Sequence, residues 1–333
     1  MSEDYVLTSV IDKGSKHAGP KAKEDIEYFL AKDGYHDLTL ALPKGHIDKL
    51  LFTWTKLNAL FKNKKIKKVV FQYPIYSVYL TKKIIAAIRK NTQAKVVVMI
   101  HDIESIRVYN GQEKFFKDEI SIFNSVDGLI VHNAGMETWL KNHGVHTKMI
   151  QLGIFDYHNP VKLIEQQTFT KSICYAGNLA KAEFLEKLNL RNSSLDVFGP
   201  NQAEEYPENI NYHGSFPADE LPSQLNQNFG LIWDGDSLDS CVGLSGDYMR
   251  INAPHKTSLY LSCGIPVIVW EKAAVANFVQ TNQVGIAVKN LHELDDIMKN
   301  MTAEEYNVMV QNAVQIATKI RMGYFIHQAT AKF

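Results

Sequence analysis

Short runs of β-branched and other apolar residues alternate along the chain with longer segments in which apolar and polar positions are mixed. Each run is rich in Val and Ile and is followed by a segment of helix length, a pattern typical of parallel sheets covered by helices on both faces. The predicted strands are 5–11, 38–42, 69–72, 96–100, 128–131 and 148–151, and then 172–175, 195–198, 210–213, 230–233, 267–269 and 285–288.

The strand–helix alternation occurs twice, which predicts an α/β protein with two Rossmann-like domains. A length of 333 residues suits two domains of ordinary size. We expect a first domain over 1–158, a second over 168–315, and a polar connection between them. The segment 302–333 is predicted to be helical throughout, with its last part, 316–333, forming a terminal helix.

Composition narrows the class of protein. The hydrophobic fraction of 45% and the charged fraction of 22% are those of a globular protein. No apolar run approaches the roughly 20 residues that span a bilayer, and the first residues lack the basic-then-apolar order of a signal peptide. The three cysteines show no metal-ligand spacing and fit a reduced compartment, so we expect a cytoplasmic protein.

The net charge of zero hides an asymmetry, since residues 1–160 carry a net charge of +6 and residues 161–333 one of −6. The basic run 62–68 leads into a predicted strand and is interpreted as a solvated connection, with peripheral contact to an anionic membrane as the alternative. No nucleic-acid partner is expected, because the whole chain is neutral and no recognition motif accompanies the run.

The segment 252–269 carries the strongest chemical signal. Pro254 suits the first turn of a helix, whose free N–H groups and positive dipole end attract anions. Gly264 and Pro266 then predict an abrupt helix end before the next strand. A phosphate cradle is predicted at the helix start, and an ordinary Pro-started surface helix is the alternative. The candidate contacts are Asn252, His255, Lys256, Thr257 and Ser258.

Other candidates follow predicted strands, because ligands of open α/β sheets bind beyond the carboxyl ends of the strands. Gly177 permits close backbone approach, Asn178 can cap the next helix and Lys181 supplies a charge, although a plain Gly-Asn turn would look the same. Ser215 and Phe216 are candidates for reading and stacking on a base, although a structural aromatic residue would look identical.

Asp234-Gly-Asp236 matches a short pattern that can hold a divalent metal. We interpret it as a loop that contacts the ligand without a metal, and keep the metal site as the alternative. The stretch 237–250 is expected to be a mobile flap. Tyr248 and Arg250 are its candidate ligand contacts, although Arg250 could instead pair with Asp247.

In the first half, His101 and Asp102 follow a predicted strand and are the candidate catalytic pair, as a general base or as hydrogen-bonding groups for a sugar. The loop 12–21 carries two glycines but neither the G-x-G-x-x-G fingerprint nor a P-loop. Its residues Ser15, His17, Ala18 and Gly19 become candidate contacts only through the family resemblance described below.

Four motifs carry a family resemblance: I-H-D at 100–102, A-G-N at 176–178, F-G-L-I-W at 229–233 and the segment 254–269. They resemble nucleotide-sugar glycosyltransferases of the GT-B architecture, in particular the group that includes the second-step glucosyltransferase of serine-rich repeat adhesin glycosylation and relatives labelled galactofuranosyltransferases. The resemblance implies two domains facing across a cleft, an acceptor-side first domain, a donor-binding second domain, and a terminal helix that returns to the first.

The resemblance also implies a function. A UDP-sugar would donate a hexose, glucose in first place, to a glycan or to a glycoprotein modified with N-acetylglucosamine. No metal or other cofactor is expected, and the protein would form a homo-oligomer, a dimer or tetramer. Alternatives are transfer of galactofuranose or N-acetylglucosamine in surface polysaccharide synthesis, and a non-catalytic partner subunit. The E-x7-E pair of retaining enzymes is missing, because Asn252 and His255 stand in that region.

Overall fold

The structure is a computed structural model that describes residues 3–9, 18–43, 45–163 and 168–333. It divides into two compact units, and the described residues of the first are 3–9, 23–43, 45–152 and 326–333. The described residues of the second are 18–22, 153–163 and 168–325. Among the described residues each unit contains one six-stranded sheet, and all neighbouring strands in it are parallel.

The sheet of the first unit has the order β2-β1-β3-β4-β5-β6. Its strands are β1 (Glu3–Ser9), β2 (His36–Leu40), β3 (Ile66–Tyr73), β4 (Lys95–Ile100), β5 (Gly128–Val131) and β6 (Met149–Gln151). The helices are α1 (Ala18–Lys32), α2 (His46–Leu51), α3 (Leu57–Phe61), α4 (Val78–Asn91), α5 (Glu104–Arg107), α6 (Glu113–Phe123) and α7 (Ala134–Asn142). A single π-helical turn, Phe52–Lys56, joins α2 to α3.

The sheet of the second unit has the order β12-β11-β10-β7-β8-β9. Its strands are β7 (Ile173–Ala176), β8 (Leu195–Phe198), β9 (Ile210–Tyr212), β10 (Phe229–Ile232), β11 (Val267–Trp270) and β12 (Gly285–Val288). Its helices are α8 (Gly243–Tyr248), α9 (His255–Ser262), α10 (Ala276–Asn282), α11 (Leu294–Asn300) and α12 (Ala303–Arg321). Helix α13 (Tyr324–Thr330) begins in this unit, but its residues 326–330 group with the first unit. Four short 3-10 helices complete the second unit: Leu179–Lys181, Glu183–Glu186, Leu221–Gln224 and Leu291–Glu293.

Four strands are buried along their whole length, as expected for a sheet covered on both faces. All residues of β5, β7, β10 and β11 are buried, which explains why these strands have continuous apolar runs instead of an alternating pattern. The two-domain α/β prediction is confirmed. All twelve predicted strands are present, with bounds that differ from the predictions by at most three residues.

The domain limits differ from those predicted. The first unit ends at Leu152 and not at 158, because Ile154 and Tyr157 are buried in the core of the second unit. The predicted terminal helix is interrupted between α12 and α13, where Gly323 has a φ of 74°. Residues 316–325 belong to the second unit, since Ile316 and Ile320 pack in its core.

Residues 326–333 group with the first unit. Lys68 Nζ donates to the carbonyl of Thr330 at 2.9 Å, and Lys95 Nζ donates to that of Phe333 at 2.8 Å. None of the described helices combines the length and the apolar character that a membrane-spanning helix requires.

Candidate functional site

The order of the second sheet creates a switch point between β7 and β10. The chain runs from β7 outward to β9, returns to β10 on the other side of β7, and continues to β12. In open α/β sheets, the crevice at the carboxyl ends of the strands at such a point is the usual place for a ligand. Three loops meet there: one follows β7, one follows β10, and one leads into α9.

Lys256 lies at this edge, in the first turn of α9. Its Nζ donates to Asp234 Oδ1 at 2.8 Å and to the Tyr175 hydroxyl at 3.1 Å. The side chains of Lys256 and Asp234 are 15% and 20% exposed. The ammonium is therefore held in a fixed place and still reaches solvent.

Tyr175 completes this arrangement, which we call the Lys256 cluster (Lys256, Asp234 and Tyr175). Its hydroxyl lies 3.2 Å from Asp234 Oδ1, and Lys256 Nζ lies 4.4 Å from the centre of its ring. Burial, and then the charge of Asp234, raise the pKa of Tyr175 well above its ordinary value. The phenol is thus neutral, and it both donates to Asp234 and accepts from Lys256. This role was not predicted, because in the sequence Tyr175 looks like an ordinary residue of a buried strand.

Gly177 brings backbone close to the Lys256 cluster. A Cβ built on Gly177 would lie 3.8 Å from Lys256 Nζ and 3.7 Å from the Tyr175 hydroxyl, both ordinary contacts. Its neighbour Gly199 has a φ of 144°, and a Cβ there would lie 1.7 Å from the carbonyl oxygen of Gly177. The glycine at 199 is therefore required for the close approach of the two loops.

Asn178 caps the 3-10 helix that follows β7, as its side chain accepts from the amide of Ala180 at 3.2 Å. This confirms the predicted capping, although the helix is a single 3-10 turn. Lys181 ends that turn with its side chain exposed. Its carbonyl accepts from the amide of Gly235 at 3.1 Å, which joins the loop after β7 to the loop after β10.

Helix α9 begins one residue later than predicted. Pro254 is its N-cap, with φ −60° and ψ 132°, and not its first helical residue. The amide of Thr257 already donates to the carbonyl of Pro254 at 2.9 Å, so it is not free for a ligand. The helix ends as predicted. Gly264, at φ 77°, donates to Leu261, and Ile265 donates to Tyr260, which is the Schellman pattern.

Two hydroxyls in the first turn of α9 have no hydrogen-bond partner among the described residues. Thr257 Oγ1 and Ser258 Oγ are both buried, in side chains that are 0% and 1% exposed. Buried hydroxyls normally have a partner, because an unpaired one costs about 1–3 kcal/mol. These atoms fit the interpretation of the helix start as part of a polar binding site.

His255 does not supply a second positive charge. Burial, reinforced by the charge of Lys21, lowers its pKa to about 3. Its ring lies 5.0 Å from that of Tyr157 and 5.7 Å from that of Phe155. His255 is therefore neutral near pH 7 and can contribute to a site only through hydrogen bonds and packing.

The stretch 237–250, which was predicted to be a flap, packs against the core of the second unit over part of its length. It contains α8, and its residues Cys241 and Met249 are fully buried in the core of the second unit. Tyr248 is buried at 4% exposure. The guanidinium of Arg250 lies 4.4 Å from the centre of the Trp270 ring, whereas its contact with Asp247 is 3.9 Å long. Asn252 is partly buried between α8 and α9.

Ser215 and Phe216 follow β9 and are partly buried. The ring of Phe216 lies 6.3 Å from that of Phe198, which in turn stacks on His213 at 5.1 Å. The carbonyl of Phe198 accepts from the amide of Gly177 at 3.0 Å. Phe216 thus belongs to an aromatic group next to the glycine loops, which is compatible with both interpretations of the residue.

In the first unit, His101 and Asp102 follow β4 as predicted. His101 is 9% exposed, and its Nε2 lies 2.9 Å from Gln72 Oε1. Asp102 forms an ion pair with Arg107. Ala18 and Gly19 begin α1, whereas Ser15 and His17 lie outside the described residues.

Two neighbouring charged groups were missed by the sequence analysis. Burial, followed by the charges of Glu119 and Asp102, raises the pKa of Glu104 to about 7. Burial lowers the pKa of Lys23 to about 8, against the opposing effect of the Asp102 and Glu104 charges. Lys23 Nζ donates to the carbonyl of Pro74 at 2.6 Å. The position of Glu104, shortly after a strand, was the available signal.

Within the described part of the chain, no three His, Cys, Asp or Glu side chains are grouped closely enough to hold a metal ion. The two carboxylates of the Asp-Gly-Asp pattern have different surroundings. Asp234 pairs with Lys256, whereas Asp236 is exposed and its carbonyl accepts from Lys187 at 2.7 Å.

Solved structures share the fold at low sequence identity. A glycosyltransferase from Rickettsia africae aligns over 99% of this chain and 97% of its own, with a TM-score of 0.66 and 12% identity. WaaG, a glycosyltransferase involved in lipopolysaccharide biosynthesis, aligns over 98% and 99%, with a TM-score of 0.60 and 10% identity. The fold is that of a GT-B glycosyltransferase.

Family models and relatives then define the group. The models for the N-terminal and C-terminal domains of the glucosyltransferase 3-like family match residues 4–154 and 173–333. The chain is 32% identical over 317 residues to the beta-1,6-galactofuranosyltransferase WbbI of Escherichia coli (strain K12), covering 93% of this chain and 92% of that one. It is 25% identical to glucosyltransferase 3 of Streptococcus gordonii, covering 77% and 76%. The chain belongs to the glucosyltransferase 3-like family and is a hexosyltransferase.

Proposed function

We propose that the protein transfers a hexose from a UDP-sugar to a sugar acceptor, with glucose as the first candidate and a glycoprotein modified with N-acetylglucosamine as the acceptor. The observation that supports this most is the Lys256 cluster at the switch point of the second sheet. A fixed, partly shielded ammonium beside a helix start suits the diphosphate of such a donor.

The chemistry that these residues can supply is electrostatic. Negative charge develops on the diphosphate as the bond between sugar and phosphate breaks, and a cation held in place stabilises that charge without having to reorganise. Lys256 would supply the cation, and the hydroxyls of Thr257 and Ser258 could donate to phosphate oxygens. Tyr175 and Asp234 act as positioning residues, because they hold the ammonium at the edge of the sheet.

The other proposed donor contacts surround this centre. Gly177 and Asn178 would offer backbone, and Lys181 a second charge, from a loop hydrogen-bonded to the loop that carries Asp234. Ser215 and Phe216 remain the proposed base contacts. His101 and Asp102 remain the proposed acceptor-side pair. The diphosphate charge would be balanced by the protein, so we propose that no metal or other cofactor takes part.

A second candidate donor is a UDP-galactofuranose. It is favoured by the relative WbbI, which is named a beta-1,6-galactofuranosyltransferase and shares 32% identity with this chain, against 25% for the streptococcal glucosyltransferase. Parallel assays with UDP-glucose and UDP-galactofuranose separate the two donors. We also propose that the protein acts in the cytoplasm as a homo-oligomer, and its mass in solution tests the second point.

The test of the proposed transferase site is a kinetic comparison of two lysine variants. Lys256→Ala should lower kcat/KM for transfer from the UDP-sugar by about two to three orders of magnitude, while the fold remains intact. The matched control is Lys299→Ala, which removes an exposed lysine of α11 far along the chain from the cluster. Near-normal turnover in Lys256→Ala would refute the proposed site.

A further inference from the structure

The helical stretch 46–61 of the first unit has an exposed N-terminal part and a C-terminal part that is anchored in the core. Thr53, Leu57 and Phe61, spaced four residues apart, are buried. Helix α2, by contrast, has no buried residue at all. Four large apolar side chains are exposed along this stretch, and we call them the apolar ridge: Ile47 at 73%, Leu50 at 47%, Leu51 at 54% and Trp54 at 78%.

The spacing of the apolar ridge is helical. Ile47, Leu50 and Leu51 stand at i, i+3 and i+4 on one side of α2, and Trp54 follows them within the π-helical turn. Single exposed apolar residues are ordinary on protein surfaces, but a contiguous row of them indicates a surface that binds something. The row is not needed for the core of the first unit, because the residues at 53, 57 and 61 already anchor the stretch.

The charge around the ridge is mainly positive, with the exposed Asp48 of α2 as the exception within the ridge itself. Between Asp48 and Asp102 the chain has twelve Lys and Arg residues and no Asp or Glu. Trp54 borders a surface hollow of about 330 Å³ that is lined with apolar atoms from Leu57 and Ala87 and with the exposed lysines Lys83 and Lys90. Apolar side chains, a tryptophan and lysines thus occur together on this face.

We propose that the apolar ridge inserts into the headgroup region of a membrane that carries anionic lipids, with the surrounding lysines contacting the lipid phosphates. Amphipathic helices that lie in a membrane interface combine these features: an apolar face with Trp and Leu, and basic residues beside it. The lysines are attracted by the negative surface potential, and the ridge gains by leaving water.

The charge pattern favours a lipid surface over a second copy of the chain. A two-fold interface places the same patch on both partners, so the lysines around one ridge would face those around the other. Like charges brought together in this way oppose association. An anionic lipid surface has the complementary charge and requires no matching shape. The proposal does not depend on the transferase activity.

The test is co-sedimentation of the full chain with vesicles. Wild-type protein should bind vesicles of phosphatidylcholine and phosphatidylglycerol in equal parts more tightly than vesicles of phosphatidylcholine alone, and added salt should weaken the binding. The double variants Leu50→Ser/Trp54→Ser and Lys83→Glu/Lys90→Glu should each bind the anionic vesicles about tenfold more weakly. Val308→Ser, which changes an apolar residue of α12 that is 50% exposed, is the matched control and should bind normally.

A second readout reports insertion itself. Brominated lipids in the same vesicles should quench the fluorescence of wild-type protein, and Trp54→Phe should remove most of that quenching while binding persists. No binding of wild-type protein to anionic vesicles, or equal binding by the ridge variants, would overturn the proposal. A dimer in solution that the ridge variants abolish, without vesicle binding, would also overturn it and assign the ridge to a second copy.

Discussion

Lys256 and Asp234 form an ion pair, with 2.8 Å between Nζ and Oδ1, at the point where the second sheet reverses its strand order. One residue comes from the first turn of α9 and the other from the loop after β10. Because both side chains are largely shielded from water, their attraction is stronger than that of a surface pair. The pair therefore fixes the ammonium where a diphosphate would meet it.

The hydroxyl of Tyr175 should matter for transfer although Tyr175 is buried in a strand. Tyr175→Phe keeps the ring under the ammonium but removes the group that bonds both Lys256 and Asp234. We expect kcat/KM to fall about tenfold, which corresponds to the loss of about one hydrogen bond to a charged group. Steady-state kinetics of the purified variant measure this.

The control is Tyr306→Phe, which removes another buried hydroxyl of the second unit, one that accepts from Asn228 Nδ2 at 3.0 Å. It should lower the melting temperature without changing transfer. Unchanged kinetics in Tyr175→Phe would show that the hydroxyl does not position the lysine.

Alanine substitutions at two glycines should affect stability and transfer activity separately. A Cβ at Gly230 of β10 would lie 2.2 Å from the fully buried ring of Tyr260 on α9, so Gly230→Ala forces the helix away from the sheet. We expect a loss of about 1–3 kcal/mol in the free energy of unfolding, as for an overpacked core. Denaturant titration measures this loss.

Gly177→Ala should give the opposite result. The added methyl makes only ordinary contacts, at 3.7 Å or more, so stability should be nearly unchanged. It would nevertheless narrow the space beside Lys256 Nζ, and transfer should fall about tenfold or more. The interpretation of these loops would be wrong if the Gly177 variant unfolded and the Gly230 variant were as stable as the wild type.

Buried His132 should contribute to acid sensitivity. Burial lowers its pKa from 6.5 to about 4, so the folded state binds fewer protons than the unfolded state between these values. Stability that is fully present above pH 6.5 is then lost as the pH falls toward 4, by an amount of about 3 kcal/mol for this group. Urea titrations at several pH values should show a smaller loss in His132→Gln.

His132→Gln also removes the hydrogen bond between Nε2 and the carbonyl of Ile100, which lowers stability at every pH. The quantity to compare is therefore the slope of the free energy of unfolding against pH, and not its absolute value. His46→Gln, at an exposed position of α2, is the control and should leave the slope unchanged. Equal slopes in the wild type and His132→Gln would contradict the assignment of a neutral buried imidazole.

Metal removal should leave the reaction intact. Asp234 is paired with Lys256, and Asp236 is exposed. We expect transfer to continue in EDTA and Asp236→Asn to behave like the wild type. If EDTA abolished transfer, Mg²⁺ or Mn²⁺ restored it and Asp236→Asn were inactive, the two aspartates would have to be assigned to a metal.

The fully buried strands β5, β7, β10 and β11 were predictable because burial on both faces gives each of them a compact run of mainly apolar residues. Val267–Trp270 is one example. The Gly264-Ile265-Pro266 turn before it also allowed the end of α9 to be predicted. The limits of the two domains were harder to predict from the sequence. The chain around Ile154 and Tyr157 looks like a linker in sequence, yet both side chains are buried in the second core.

The position of Lys256 in the first turn of a helix was predictable, because Pro254 just before it indicates a helix start. Tyr175 and Gly230 were missed, because their roles depend on contacts with residues more than twenty positions away. Glu104 and Lys23 were missed for a related reason, since the burial that shifts their pKa values depends on the residues packed around them. For Glu104, its position shortly after a strand was the only local signal that we identify in the sequence. His255 was read as part of an anion site, and only its enclosure by Phe155 and Tyr157 reveals it as neutral.

The measurement that tests the central claim most directly is calorimetric titration of the wild type and Lys256→Ala with UDP, in the presence of EDTA. The Lys256 cluster predicts micromolar binding of UDP to the wild type and a loss of about 100-fold or more in the variant, since an ammonium fixed beside the diphosphate supplies much of the binding energy. Absence of UDP binding by the wild type, or equal binding by Lys256→Ala, would contradict the assignment of the donor site.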